Sequence, residues 1–156
     1  KEALRLLESK DAYQRQLGFL RLEALREVAT VETLEPYASS PDPELRAQGL
    51  RALAAIQGPS AVPRLVKALK TDKHFRVRLA ALLGLEPHQQ TDPEILPAFL
   101  RALRDRRTEV RMAAVDIVSR IDDPRAREAI QARMKRERRR DVRRVLKLAK
   151  ERLKSD

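Results

Sequence analysis

The sequence contains no cysteine. That excludes a disulfide scaffold, a thiolate zinc cluster and a cysteine nucleophile together. Aromatic residues are nearly missing as well, at three Phe, two Tyr and no Trp, so there are few ring platforms on which bases or flat cofactors could stack. Four scattered glycines build no Gly-rich phosphate loop. No run of eighteen apolar residues exists, which excludes a hydrophobic membrane-spanning helix. The start, Lys1-Glu2-Ala3-Leu4-Arg5, is neither a signal sequence nor an initiator methionine, so the chain is expected to be soluble, cytoplasmic and trimmed or excised from something longer.

What is present favours helices. The 156 residues are 42% apolar and 37% charged, enough for one packed domain spanning 1–156, and Ala, Leu, Glu, Lys and Arg dominate. A repeat organises them. Glu44-Leu45-Arg46, Arg76-Val77-Arg78, Glu109-Val110-Arg111 and Asp141-Val142-Arg143 each place an aliphatic anchor beside an arginine, and Arg15 marks a weaker first copy. The arginine spacings are 31, 32, 33 and 32. Three positions after each arginine come Gly18, Gly49, Ala81, Ala114 and Leu146, and seven after come Leu22, Leu53, Leu85, Val118 and Lys150. A small-then-large stripe of this kind lies on one helical face and lets a neighbouring helix approach.

Another apolar-periodic run precedes each of these helices: Leu4 to Leu7, Val31 to Tyr37, Ala61 to Leu69, Ile95 to Leu103 and Ala126 to Met134. Each unit is therefore a helical hairpin, with approximate limits 1–29, 30–57, 58–90, 91–122 and 123–156. Asp42-Pro43-Glu44, Asp92-Pro93-Glu94 and Asp123-Pro124 read as a capping carboxylate followed by a first-turn proline, and Gly58-Pro59 reads as a helix stop and restart. Nine prolines exclude a single long coiled coil over most of the chain.

The phrases Asp42-Pro43-Glu44-Leu45-Arg46, Ala61-Val62-Pro63-Arg64-Leu65-Val66-Lys67-Ala68-Leu69 and Glu109-Val110-Arg111-Met112-Ala113-Ala114 resemble HEAT repeats of the short bacterial kind, also seen in phycobilin lyase subunits. The resemblance covers essentially the whole chain. It implies an all-α fold, a right-handed alpha-alpha superhelix (an α-solenoid) of about five hairpins. In that family a proline early in the first helix is common, matched by Pro63 and Pro97. An aspartate before the second helix and an arginine within it cross-link neighbouring repeats. The resemblance thus implies a structural ladder at Asp72, Arg78, Asp105 and Arg111, with Ser9, Ser40 and Glu137 at the other acid positions, so that the ladder is expected to weaken at both ends.

Catalytic chemistry has little to work with. His74 and His88 lie between predicted helices, are not spaced to share a helical face, and are read as exposed loop residues. Asp122-Asp123 is read as a helix cap. The expectation is no enzyme activity, no metal and no cofactor.

Two surfaces remain as candidates. In a HEAT-like solenoid the second helices line the concave side, and counting from each anchor puts Gln16, Ala47, Leu79, Met112 and Arg144 at the second position and Leu20, Arg51, Leu83, Asp116 and Leu148 at the sixth. Leu20, Arg51, Leu79, Leu83, Met112 and Asp116 are accordingly the candidate protein-binding residues, with Leu20, Leu79, Leu83 and Met112 equally readable as core. The other surface is basic. From Arg133 to Lys154 there are twelve basic residues against three acidic, which holds most of the net charge of +11. Arg138, Arg139, Arg140, Arg143, Lys147 and Lys150 form either an anion-binding patch or the polar outer face that a terminal repeat needs, with Val142, Leu146, Ala149 and Leu153 as its docking stripe and Lys154 on the basic one.

The sequence therefore predicts a non-catalytic scaffold for a protein or peptide. Duplex nucleic-acid binding through the last repeat, or a helical appendage of a larger enzyme, are the alternatives, and the oligomeric state is open. No motif of the HEAT-like DNA glycosylases is found here.

Overall fold

Among the described residues, 2–25 and 31–153 of a computed structural model, the chain forms ten α-helices and no strand. The side chain of Leu22 and all of Lys1 and Lys154, which the sequence reading used, lie outside the described residues. The helices pair in order: α1 (Glu2–Leu7) with α2 (Ala12–Leu25), α3 (Val31–Ala38) with α4 (Pro43–Gln57), α5 (Val62–Thr71) with α6 (Phe75–Leu85), α7 (Ile95–Ala102) with α8 (Thr108–Val118), and α9 (Pro124–Arg136) with α10 (Arg140–Arg152). The result is an α-solenoid of five hairpins.

Local chemistry sets the helix limits. The Asp42 carboxylate accepts the Glu44 N–H at 2.8 Å and Asp123 accepts the Arg125 N–H at 2.8 Å, each ahead of a first-turn proline. Asp92 also accepts the Glu94 N–H, but Pro93 and Glu94 form a turn and α7 begins only at Ile95, which corrects the expectation that Asp92-Pro93-Glu94 opens the helix directly. Gly58, at a φ of 56°, ends α4, and a short 3-10 turn at Gly58–Ala61 leads into α5.

Packing follows the stripe. Gly49, Ala81 and Ala114 are buried, as are Leu53, Leu85 and Val118. Gly49 is needed where it stands, because a Cβ there would lie 2.6 Å from the Tyr37 carbonyl carbon, so α3 and α4 touch backbone to backbone. One apolar core runs from α4 to α10 through residues such as Leu65, Leu82, Phe99, Val110, Ile130 and Leu146. A second fills the first two hairpins with Leu7, Phe19, Leu34 and Leu53, and α4 contributes to both.

The two rows of helices pack unequally. Each second helix packs on the next, from α2 through α10, whereas among the described first helices only α5 and α7 pack comparably on one another, and grooves of about 550, 670 and 360 Å³ lie at the α3/α5, α5/α7 and α7/α9 junctions. Closer spacing on one row bends a stack towards it, which makes the second helices the inner wall.

Candidate functional site

The inner wall is held in register by arginines. Arg78 directs Nε and Nη2 to the Asp105 carboxylate at 2.7 and 2.8 Å, while its Nη1 donates to the backbone carbonyls of Asp72 and Lys73 at 3.0 and 3.1 Å. Arg46 does the same with the Asp72 carboxylate at 2.9 and 3.1 Å and the carbonyls of Ser40 and Pro41. Arg111 repeats it with Glu137 at 2.9 and 3.3 Å and the carbonyls of Asp105 and Arg106. These three arginines each take a carboxylate from the following repeat and two carbonyls from their own. A planar guanidinium supplies both sets of donors at once.

The ladder does not weaken at its C-terminal end. Glu137, one methylene longer than aspartate, is buried, accepts from Arg111 and Arg133, and receives the N–H groups of Arg138 and Arg139. Burial alone raises its carboxyl, but the bonds from the Arg139 N–H, Arg133 and Arg111 outweigh that and hold it at about 2. Burial likewise opposes ionisation at Asp72 and Asp105, and their arginine and backbone hydrogen bonds still hold both below the usual carboxylate range. At the N-terminal end Arg15 keeps its two carbonyls, Ser9 and Lys10, but its Nε is buried without an acceptor. Ser40 stands where the next carboxylate would be.

The sixth positions form one exposed column along the inner wall: Leu20, Arg51, Leu83, Asp116 and Leu148. The three leucines are 50%, 44% and 61% exposed, among the few large apolar side chains left open to solvent. Leu79 and Met112 do not stand with them. They are half-buried and pack against the core, because an inner helix touches its hairpin partner and both neighbouring second helices, which leaves only a narrow strip uncovered. Asp116 is tied down by Arg120 at 3.0 Å and Arg152 at 3.2 Å. Between the C-terminal ends of α4 and α6 the wall opens into a groove of about 810 Å³ lined by Arg51, Ile56, Pro59, Leu83, Pro87 and His88. Pro59 is read from the sequence as a helix restart and His88 as a loop residue, and neither these nor Pro87 is marked as groove lining, since they sit in connecting turns where no helical period applies.

Arg138, Arg139, Arg140, Arg143 and Lys147 are exposed and Lys150 is half-buried, with Arg139 3.6 Å from Asp141. The histidines are not fully exposed as expected: both are half-buried, and His74 Nδ1 is enclosed without a partner beside the Phe75 ring. Asp122 pairs with Arg127 at 2.6 Å, apart from the Asp123 cap. Among the described residues no three His, Cys, Asp or Glu side chains gather to hold a metal ion, and no helix is long and apolar enough to cross a membrane.

No curated protein matches the chain. A solved structure described as the complex of CpcE and CpcF of phycocyanin lyase, from Nostoc sp. PCC7120, contains a chain 26% identical to this one, with a TM-score of 0.68 over 94% of this chain and 95% of that one. That finding corrects the expectation of no enzyme activity, because a chain built the same way throughout belongs to a lyase. A convergent catalytic cluster within one chain is a poor guide to activity when a protein works as part of a complex. A family model described as HEAT repeats matches residues 2–86 and 77–149. With both its sequence pattern and its stacked hairpins accounted for, the chain belongs to the HEAT-repeat family.

Proposed function

We propose that this chain binds a protein partner along the exposed column of its second helices, working as one subunit of a larger assembly. The observation that carries this reading is the repetition of solvent-exposed leucine at one register, Leu20, Leu83 and Leu148, beside the groove at Arg51 and Leu83. Exposing large apolar side chains on an otherwise charged surface is unfavourable, and because each leucine is already about half covered, a partner that buries the rest recovers about 1 kcal/mol apiece. Arg51 and Asp116 supply opposite charges between the leucines, which fits a protein surface better than a uniform polyanion. The lyase structure supports the same view, being a complex of two proteins.

The test begins with a photo-crosslinking residue at position 83 to capture and identify the partner. Affinity of the purified pair is then measured for Leu83→Glu and Leu148→Glu. These positions are exposed, so both variants should keep the parent melting temperature while Kd rises at least tenfold. Unchanged affinity in both folded variants would remove the column from the interface.

A further inference from the structure

We infer that the outer face of α10, continued through the turn at Arg138, is a docking surface for the phosphate backbone of duplex nucleic acid. This goes beyond the inner-wall reading and rests on different residues.

Geometry isolates the charge. Val142, Leu146 and Ala149 are buried beneath α10, so Arg140, Arg143, Arg144 and Lys147, spaced at three, four and seven residues from the first, emerge together on the opposite face. All four are exposed, as is Arg138. Of the three local acids, Glu151 stands one turn beyond Lys147 and offsets part of the charge, while Glu137 and Asp141 are engaged elsewhere. Glu137 is buried among Arg111, Arg133 and backbone N–H groups, and Asp141 accepts from the Val142 N–H and lies near Arg139. Among the described residues Arg138, Arg140, Arg143, Arg144 and Lys147 have no carboxylate partner. Several arginines elsewhere do, as in Arg64–Glu35, Arg120–Glu86 and Arg127–Asp122, and it is the clustering of five such cations on one face that sets α10 apart.

A terminal repeat needs a polar outer face, but that need does not dictate one sign of charge. At the other end of the stack α1 mixes Glu2 and Arg5, and Glu2 pairs with Arg21 at 2.8 Å. The excess on α10 is thus more than a cap requires, and it stores mutual repulsion that a polyanion relieves.

The chemistry of the face selects the occupant. No aromatic residue follows Phe99, so unstacked bases find no platform, which disfavours a single strand. Leu148, one turn beyond Arg144 and 61% exposed, borders this face on the inner-wall side, and a single leucine at the edge does not make the apolar centre of a protein interface. Guanidinium groups dominate, and they bind phosphate oxygens two at a time. Arg140 to Lys147 spans about 10 Å of helix. A duplex strand presents a phosphate about every 3.4 Å of its axis, so several cations reach phosphates together.

The test is binding of a labelled 20-base-pair DNA duplex of arbitrary sequence, measured by fluorescence anisotropy across a salt series. About five phosphate contacts predict a slope of about −4.5 in log K against log salt. Replacing Arg140, Arg143 and Lys147 by Ser should shrink that slope by roughly two to three and weaken binding at least tenfold at fixed salt. A variant of equal charge with Lys10, Lys67 and Arg101 replaced by Ser should lose far less, and matching melting temperatures establish that both fold. Equal losses in the two variants, or no duplex binding at low salt, would overturn the inference. So would tighter binding of a single strand, or poly-glutamate displacing the duplex at equal charge, the latter reassigning the face to an acidic protein.

Discussion

Removing the Glu137 carboxylate would leave Arg111, whose side chain is 8% exposed, as a buried cation without its counter-ion. Breaking such a pair from one side costs about 3 kcal/mol, so Glu137→Gln should lower the midpoint of urea unfolding markedly. Glu109→Gln, at an exposed pair with Arg107, should leave it almost unmoved. Equal effects would contradict the ladder as the source of register. Acid should act through the same groups. Asp72, Asp105 and Glu137 ionise at lower pH in the folded chain than in the unfolded one, so below the ordinary carboxylate range the unfolded state binds more protons. Stability is then full above that range and falls as pH drops towards 2. The missing rung gives the opposite kind of prediction. Ser40 Oγ already accepts the Asp42 N–H at 3.1 Å, as Asp72 Oδ1 accepts the His74 N–H at 2.8 Å. Ser40→Asp keeps that bond and offers a second oxygen to Arg15 Nε, for an expected gain of about 1 kcal/mol. A loss measured in the same urea experiment would show that Arg15 does not need an acceptor.

At the scale of elements, two glycines separate packing from propensity. Gly49→Ala places a methyl group against the backbone of Tyr37 and Ala38, which cannot retreat without parting α3 from α4, and should cost more than about 2 kcal/mol. Gly84→Ala meets only Leu65 Cδ2 at 3.2 Å and Ala54 Cβ at 3.4 Å, and the gain in helix propensity, up to about 1 kcal/mol, should leave it near neutral. Thermal melts of the two variants decide the matter, and similar losses would mean that the glycine stripe is not about close approach. The stripe itself was legible in the sequence because a 3.6-residue period and a repeat of 31 to 33 residues are both local patterns. Asp42 and Asp123 were legible as caps for the same reason. Glu137 was not, since whether a longer carboxylate reaches its arginine depends on the next repeat's placement. Leu79 and Met112 were undecided between wall and core because sequence alone cannot say how many neighbours flank an inner helix, and the turn residues Pro59, Pro87 and His88 follow no period at all.

For the molecule as a whole, a solenoid has no centre, so its function lies on the surfaces that repetition makes long. The inner wall carries alternating apolar and charged exposed positions, and the last helix carries a predominantly basic face, which separates two surfaces by their chemistry. The most direct measurement is amide hydrogen exchange on the complex between this chain and the protein captured at position 83. Protection should rise in the exposed strip of the second helices, α2, α4, α6, α8 and α10, and at the turns around Pro59 and Pro87, while the outer helices α5 and α7 stay unchanged. Protection confined to α5, α7 and the grooves between them would contradict the account, and would put the binding surface on the outside of the stack.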